Sequence, residues 1–140
     1  MNFEIKEINI SDSHLLQEFI SNNTSNFFRY FYNRPISVIE NHLFTILYII
    51  NNKPIGYAHI DNDNGIYWFG ICILTPYHNM GIGKKIMTYI FEKDEIKNKD
   101  IFLTVDKNNE YAILLYKKFG FEIIETKNFF FKMKRNKLNL

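Results

Sequence analysis

Gly70-Ile71-Cys72-Ile73-Leu74-Thr75-Pro76-Tyr77-His78-Asn79-Met80-Gly81-Ile82-Gly83-Lys84-Lys85-Ile86-Met87 is the stretch around which the chain is organised. Its β-branched, apolar opening reads as a buried strand. Thr75 and Pro76 end that strand, and a short loop follows with two glycines one residue apart. From there the pattern turns helical: Ile82, Ile86 and Ile90 recur every fourth residue, with Met87 and Phe91 beside them. Strand, glycine loop, helix is an arrangement suited to an anion. The first amides of a helix have no partner within it, the peptide dipoles place positive charge there, and glycine lets a phosphate approach the backbone. The glycines alone equally fit a tight strand-to-helix turn.

Two phosphate motifs are excluded. A P-loop needs glycine where His78 stands and Ser or Thr where Lys85 stands. A dinucleotide fingerprint needs a third glycine at the position of Ile86.

Working outward, 140 residues suit one domain, 1–140, with a core of its own. The net charge of +2 gives no footprint for nucleic acid. Cys72 is the only cysteine, so no internal disulfide forms, which suits a reducing cytoplasm. The first residues lack a signal-peptide layout, and the longest apolar run, Leu43 to Ile50, is too short to span a bilayer. Abundant Ile, Asn and Lys hint at an AT-rich bacterial genome. One cysteine and scattered histidines offer no metal site.

In chain order, a strand is expected at about 2–9, then a helix capped by Ser11 or Asp12 and running to Asn22. An aromatic segment with two arginines follows, and Pro35 is placed to open a second helix to about His42. Phe44–Asn51, Ile55–Asp61 and Ile66–Leu74 read as three strands of an antiparallel meander, joined by turns at Asn51–Pro54 and Asp61–Gly65. The helix after the glycine loop is expected to reach about Asn98. Ile101–Val105 reads as a strand parallel to the one before that helix. A helix carrying Ala112, Leu115, Tyr116 and Phe119 on one face then ends at Gly120, and two strands close the chain.

Two patterns carry a resemblance. His78-Asn79-Met80-Gly81-Ile82-Gly83 resembles the acetyl-CoA-binding loop of the GNAT family of N-acetyltransferases, Gln/Arg-x-x-Gly-x-Gly/Ala, with His78 in place of the usual Gln or Arg. Asn109, Ala112, Tyr116, Gly120 and Phe121 match that family's second signature, Asn-x-x-Ala-x-x-x-Tyr-x-x-x-Gly-Phe, in register and in the correct order. The resemblance implies a mixed α/β fold: a twisted sheet, antiparallel at first and splayed between parallel strands at its centre, with about four helices. It also implies transfer of acetyl from acetyl-CoA to a primary amine. Backbone groups of Cys72 and Ile73 would bind the pantetheine arm. Amides of His78, Asn79, Met80, Gly81, Ile82, Gly83 and Lys84 would cradle the pyrophosphate, and Asn109 would hold the cosubstrate from the facing helix.

Tyr116 is the candidate acid for the leaving thiolate. Taken alone, it reads equally as a core tyrosine. The strand before the glycine loop carries no acid, so His59 is the candidate base, with a structural histidine as the alternative. Tyr57, His59 and Asp61 share one strand face. Arg29, Tyr30 and Arg34 are candidate acceptor-binding residues suited to an acidic or nucleotide-linked amine, such as an amino sugar. A peptide or protein amine and a non-catalytic acyl-CoA-binding module are the alternatives. Acetyl-CoA and an amine are the expected partners, without nucleic acid or membrane, and the chain is expected to be a monomer or homodimer.

Overall fold

The computed structural model describes residues 2–138. Seven strands form one sheet: β1 (Phe3–Ile8), β2 (His42–Ile50), β3 (Lys53–Asp63), β4 (Ile66–Ile73), β5 (Ile101–Asp106), β6 (Glu122–Thr126) and β7 (Phe130–Arg135). Their order is β1-β2-β3-β4-β5-β7-β6. The helices are α1 (Ser13–Asn22), α2 (Ile82–Phe91), the short α3 (Asp94–Lys97) and α4 (Glu110–Lys118). No helix among the described residues is long and apolar enough to cross a membrane.

β1 to β4 form the antiparallel meander. Both of its tight hairpins turn on two residues with positive φ, Asn51 (49°) with Asn52 (67°) and Asn64 (53°) with Gly65 (87°). Such turns match the right-handed strand twist, and Asn and Gly adopt them at least cost. β2 and β3 are buried on both faces: Ile46, Leu47, Ile55, Tyr57, Ala58 and Ile60 have no exposed surface. Phe19 of α1 stacks on Tyr57 from one side, with ring centroids 5.8 Å apart. Ile86 of α2 meets Gly56 from the other, where a Cβ would stand 3.1 Å from its Cδ1.

β4 and β5 run parallel but pair only at Tyr67 with Ile101 and Trp68 with Phe102. Beyond that they part, and the site lies in the gap. The Leu74 N–H bonds the Ile55 carbonyl at 2.9 Å. By alternation, the backbone groups of Ile71 and Ile73 therefore point away from β3 and into the gap, whereas those of Cys72, expected to bind the arm, turn toward Tyr57 of β3.

Three boundaries differ from expectation. The second helix is a 3-10 turn, Ile36–Asn41, with only Ile39 buried, so too little apolar surface is covered to extend it. The helix after the glycine loop ends at Phe91, because Lys93 is extended and bonds Glu7 at 3.2 Å before α3 begins. The cap near α1 is Asn9, which accepts from Ser11 N–H while Asp12 accepts from the Asn9 N–H; Asp12 caps no amide of α1 itself. Gly120 does end α4. Its φ of +90° allows Gly120 N–H to bond Lys117 and Phe121 N–H to bond Tyr116, the Schellman pattern.

Candidate active site

The gap between β4 and β5 opens into a cavity of about 370 Å³, a size suited to a small-molecule site. One end of it is built by the glycine loop. Thr75–Tyr77 makes one 3-10 turn, and Asn79 (φ 63°) and Gly81 (φ 75°) then reverse the chain into α2. Lys85 N–H is bonded to the Gly81 carbonyl at 3.2 Å. The amides of Gly81, Ile82, Gly83 and Lys84 precede that bond and have no partner within the helix. A Cβ on Gly81 would meet nothing within 4 Å, so the space before these amides is open. Gly83 serves packing instead: its Cβ would lie 3.2 Å from Leu115 Cδ2 on α4, which sets the approach of the two helices.

Asn79, Gly81, Ile82 and Gly83 all line the cavity, whereas the side chains of Met80 and Lys84 are exposed outside it. His78 lines it too, and its Nε2 donates to the Ile73 carbonyl at 2.8 Å. That bond ties the loop to the end of β4. Across the gap, Asn109 stands at the N-terminus of α4 with its side chain making no cap bond, so its amide is available to a ligand.

At the other end, Cys72, Ile73 and Tyr116 line the cavity. Among the described residues nothing is hydrogen-bonded to the Tyr116 hydroxyl. Its ring is wedged edge-on against Phe69, 6.2 Å between centroids. Burial raises its pKa, with Cys72 adding to the effect, so the phenol stays protonated. Burial likewise pushes the Cys72 thiol up to about 12, leaving it a neutral, inert group near Asn23.

His59 lies elsewhere. It is 2% exposed and does not line the cavity. Its ring covers Gly70, Tyr57 Oη lies 2.6 Å from its Nδ1, and the tilted rings of Tyr30 and His42 pack against it with centroids 4.3 and 4.6 Å away. Burial first, then His42 and Arg34, hold its pKa well below the usual range. The imidazole is thus a buried, neutral group packed over Gly70 of β4 and not part of the cavity lining.

The aromatic segment bridges the gap. Tyr30 hydroxyl donates to Asp61 at 3.0 Å and lies 2.8 Å from His42 Nε2, pinning the segment to β2 and β3. Arg29 pairs with both oxygens of Asp106, at 2.9 and 3.1 Å, pinning it to the end of β5. Arg29 lines the cavity; Tyr30 and Arg34 do not, and Arg34 sits over the Tyr30 ring at 4.5 Å. The two arginines expected to be free for an acidic acceptor are therefore engaged within the chain. Asp106 and Thr104 also line the cavity and escaped the sequence reading, which sought an acid only on the strand before the glycine loop. The signal available was their place at the end of the parallel partner strand.

Free amides at a helix end, open space at Gly81, β4 backbone unpaired with β5 beyond Trp68 and a free Asn109 amide fit a phosphate-bearing ligand with an amide-containing arm. Comparison with known proteins agrees. The chain is 42% identical over 77 residues to N-alpha-acetyltransferase 50 of Danio rerio, a match covering 53% of this chain and 45% of that protein. The chain thus spans about half the length of the curated relatives it matches. A GNAT-family acetyltransferase from Streptococcus pneumoniae has the same fold, with a TM-score of 0.78 at 20% identity over 98% of this chain and 100% of that one. So does Arabidopsis thaliana Naa50 in complex with the bisubstrate analogue CoA-Ac-MVNAL, with a TM-score of 0.66 at 21% identity over 97% and 99%. The pattern defining one family matches residues 9–121, and the chain belongs to that family, the acetyltransferase (GNAT) family.

Proposed function

We propose that the protein transfers acetyl from acetyl-CoA to the α-amino group of a peptide or protein. The observation that carries the transfer is the cavity itself, with free helix amides at one end and the unbonded Tyr116 hydroxyl at the other. The peptide acceptor is supported by the likeness to N-alpha-acetyltransferase 50. The amino-sugar expectation rested on Arg29 and Arg34, and both are occupied.

Acetyl-CoA supplies the activated acetyl thioester. Gly81, Ile82, Gly83 and Lys84 amides hold its pyrophosphate, backbone groups of Ile71 and the Ile73 N–H hold its arm, and Asn109 holds it from α4. The neutral amine forms the C–N bond as the C–S bond breaks, and Tyr116 gives its proton to the departing sulfur. Kept neutral by burial, Tyr116 is a donor across the working pH range. Such an acid is worth about 10²–10⁴ in rate.

A melt with acetyl-CoA, against adenosine as control, tests binding: ligand at about 100 times its Kd adds about 2.7 kcal/mol. Acetylation of the peptide Met-Val-Asn-Ala-Leu is then compared with that of a nucleotide-linked amino sugar. Faster turnover of the peptide is expected. Turnover of the sugar alone would refute the peptide acceptor, and no cosubstrate-specific shift would refute the enzyme reading.

A further inference from the structure

We propose that Asp106 docks the ammonium form of the acceptor and receives its first proton. The inference rests on the acetyltransferase reading but not on the class of amine. A primary amine near neutral pH arrives largely charged, and a cation entering a partly dry cavity needs a partner there. Among the described residues, Asp106 is the single carboxylate that lines the cavity.

Its position follows from the sheet. Pairing of β4 with β5 ends at Trp68 and Phe102. Cys72 lies four residues beyond Trp68 (72 − 68 = 4), and Asp106 four beyond Phe102 (106 − 102 = 4). The two stand on opposite lips of the splay, with Tyr116 lining the same space. Arg29 donates one hydrogen bond to each carboxylate oxygen. A carboxylate oxygen has a second lone pair, so each oxygen can still accept from an N–H donor while Arg29 holds the group oriented.

The step balances. One ammonium proton passes to Asp106 and on to solvent. The freed nitrogen lone pair forms the C–N bond to the acetyl carbon, the C–S electrons leave with sulfur, and sulfur takes the Tyr116 proton. Tyr116 is reprotonated by the second proton that the nitrogen sheds.

Asp106 also anchors the aromatic segment through Arg29, so the test must separate docking from anchoring. Binding to the CoA-loaded protein is measured for Met-Val-Asn-Ala-Leu and for its des-amino counterpart. The wild type is expected to favour the amine by about tenfold or more, the scale of a charge-assisted hydrogen bond. Asp106→Asn keeps a shape that Arg29 can bond, and it should bring the two ligands near parity while the CoA-induced melting shift persists. Arg29→Gln should weaken both ligands and retain the preference. Asp106→Ser gives the same reading should the Asn variant not fold. An unchanged preference in Asp106→Asn, no preference in the wild type, or a preference lost in Arg29→Gln as fully as in Asp106→Asn overturns the docking role. Transfer to the peptide would persist in those cases, whereas transfer to no amine at all would sink the acetyltransferase reading itself.

Discussion

Gly70→Ala is a sharp test of how the β4 wall is built. A Cβ at position 70 would stand 2.7 Å from both Cε1 and Nε2 of His59. That ring has no easy retreat. Tyr57 Oη is bonded to its Nδ1, and Tyr30 and His42 lie against it. Forcing a methyl into such a site costs about 1–3 kcal/mol. Rotating the ring away forfeits a hydrogen bond worth about 1 kcal/mol. Replacing glycine returns about 0.5–1 kcal/mol of chain entropy. The net is about 2 kcal/mol destabilising, a fall in Tm of roughly 5–10 °C for a domain this size. Calorimetry with and without acetyl-CoA is the assay, and the ligand shift should survive because the glycine loop is untouched. In a double-mutant cycle, His59→Ala should absorb most of the Gly70→Ala penalty. A Gly70→Ala protein as stable as the wild type would refute the packing argument.

Tyr116→Phe should leave acetyl-CoA affinity unchanged and lower kcat by about 10²-fold or more, read by steady-state kinetics; full activity would remove it as the acid. Gly83→Val should weaken cosubstrate binding and stability together, since its Cβ already reaches Leu115 at 3.2 Å and forces α2 from α4. Gly81→Ala meets no atom but must adopt φ near +75°, so a loss of about 1 kcal/mol by urea unfolding is expected from backbone strain alone. Burial lowers His42 to about 4. An unfolded histidine titrates near 6.5, so this neutral group contributes stability above that pH and loses it as pH falls toward 4. The contribution is on the order of 3 kcal/mol, and His42→Gln should flatten urea stability across that window. An equal slope in variant and wild type would place the acid sensitivity elsewhere.

Much of this protein is determined by its sequence alone. The apolar, β-branched runs of β2 to β4, the Asn-Asn and Asn-Gly turns, the four-residue spacing of Ile82, Ile86 and Ile90, and Gly120 after α4 are local signals, because composition, periodicity and positive φ are properties of neighbouring residues. The glycine loop and the Asn109 to Phe121 pattern are likewise legible as strings, and they carry the family. Tertiary structure alone decided what each charge and ring does. His59 and Tyr57 share a strand face as alternation requires, yet only the aromatic segment folding over them makes His59 a buried, neutral group. Arg29 reads as a free cation until β5 brings Asp106 to it across 77 positions of chain. Asp106 itself gains meaning only because β4 and β5 part after two paired residues. Partners so distant along the chain leave no periodic trace, since their meeting is set by sheet order and the direction in which strands diverge.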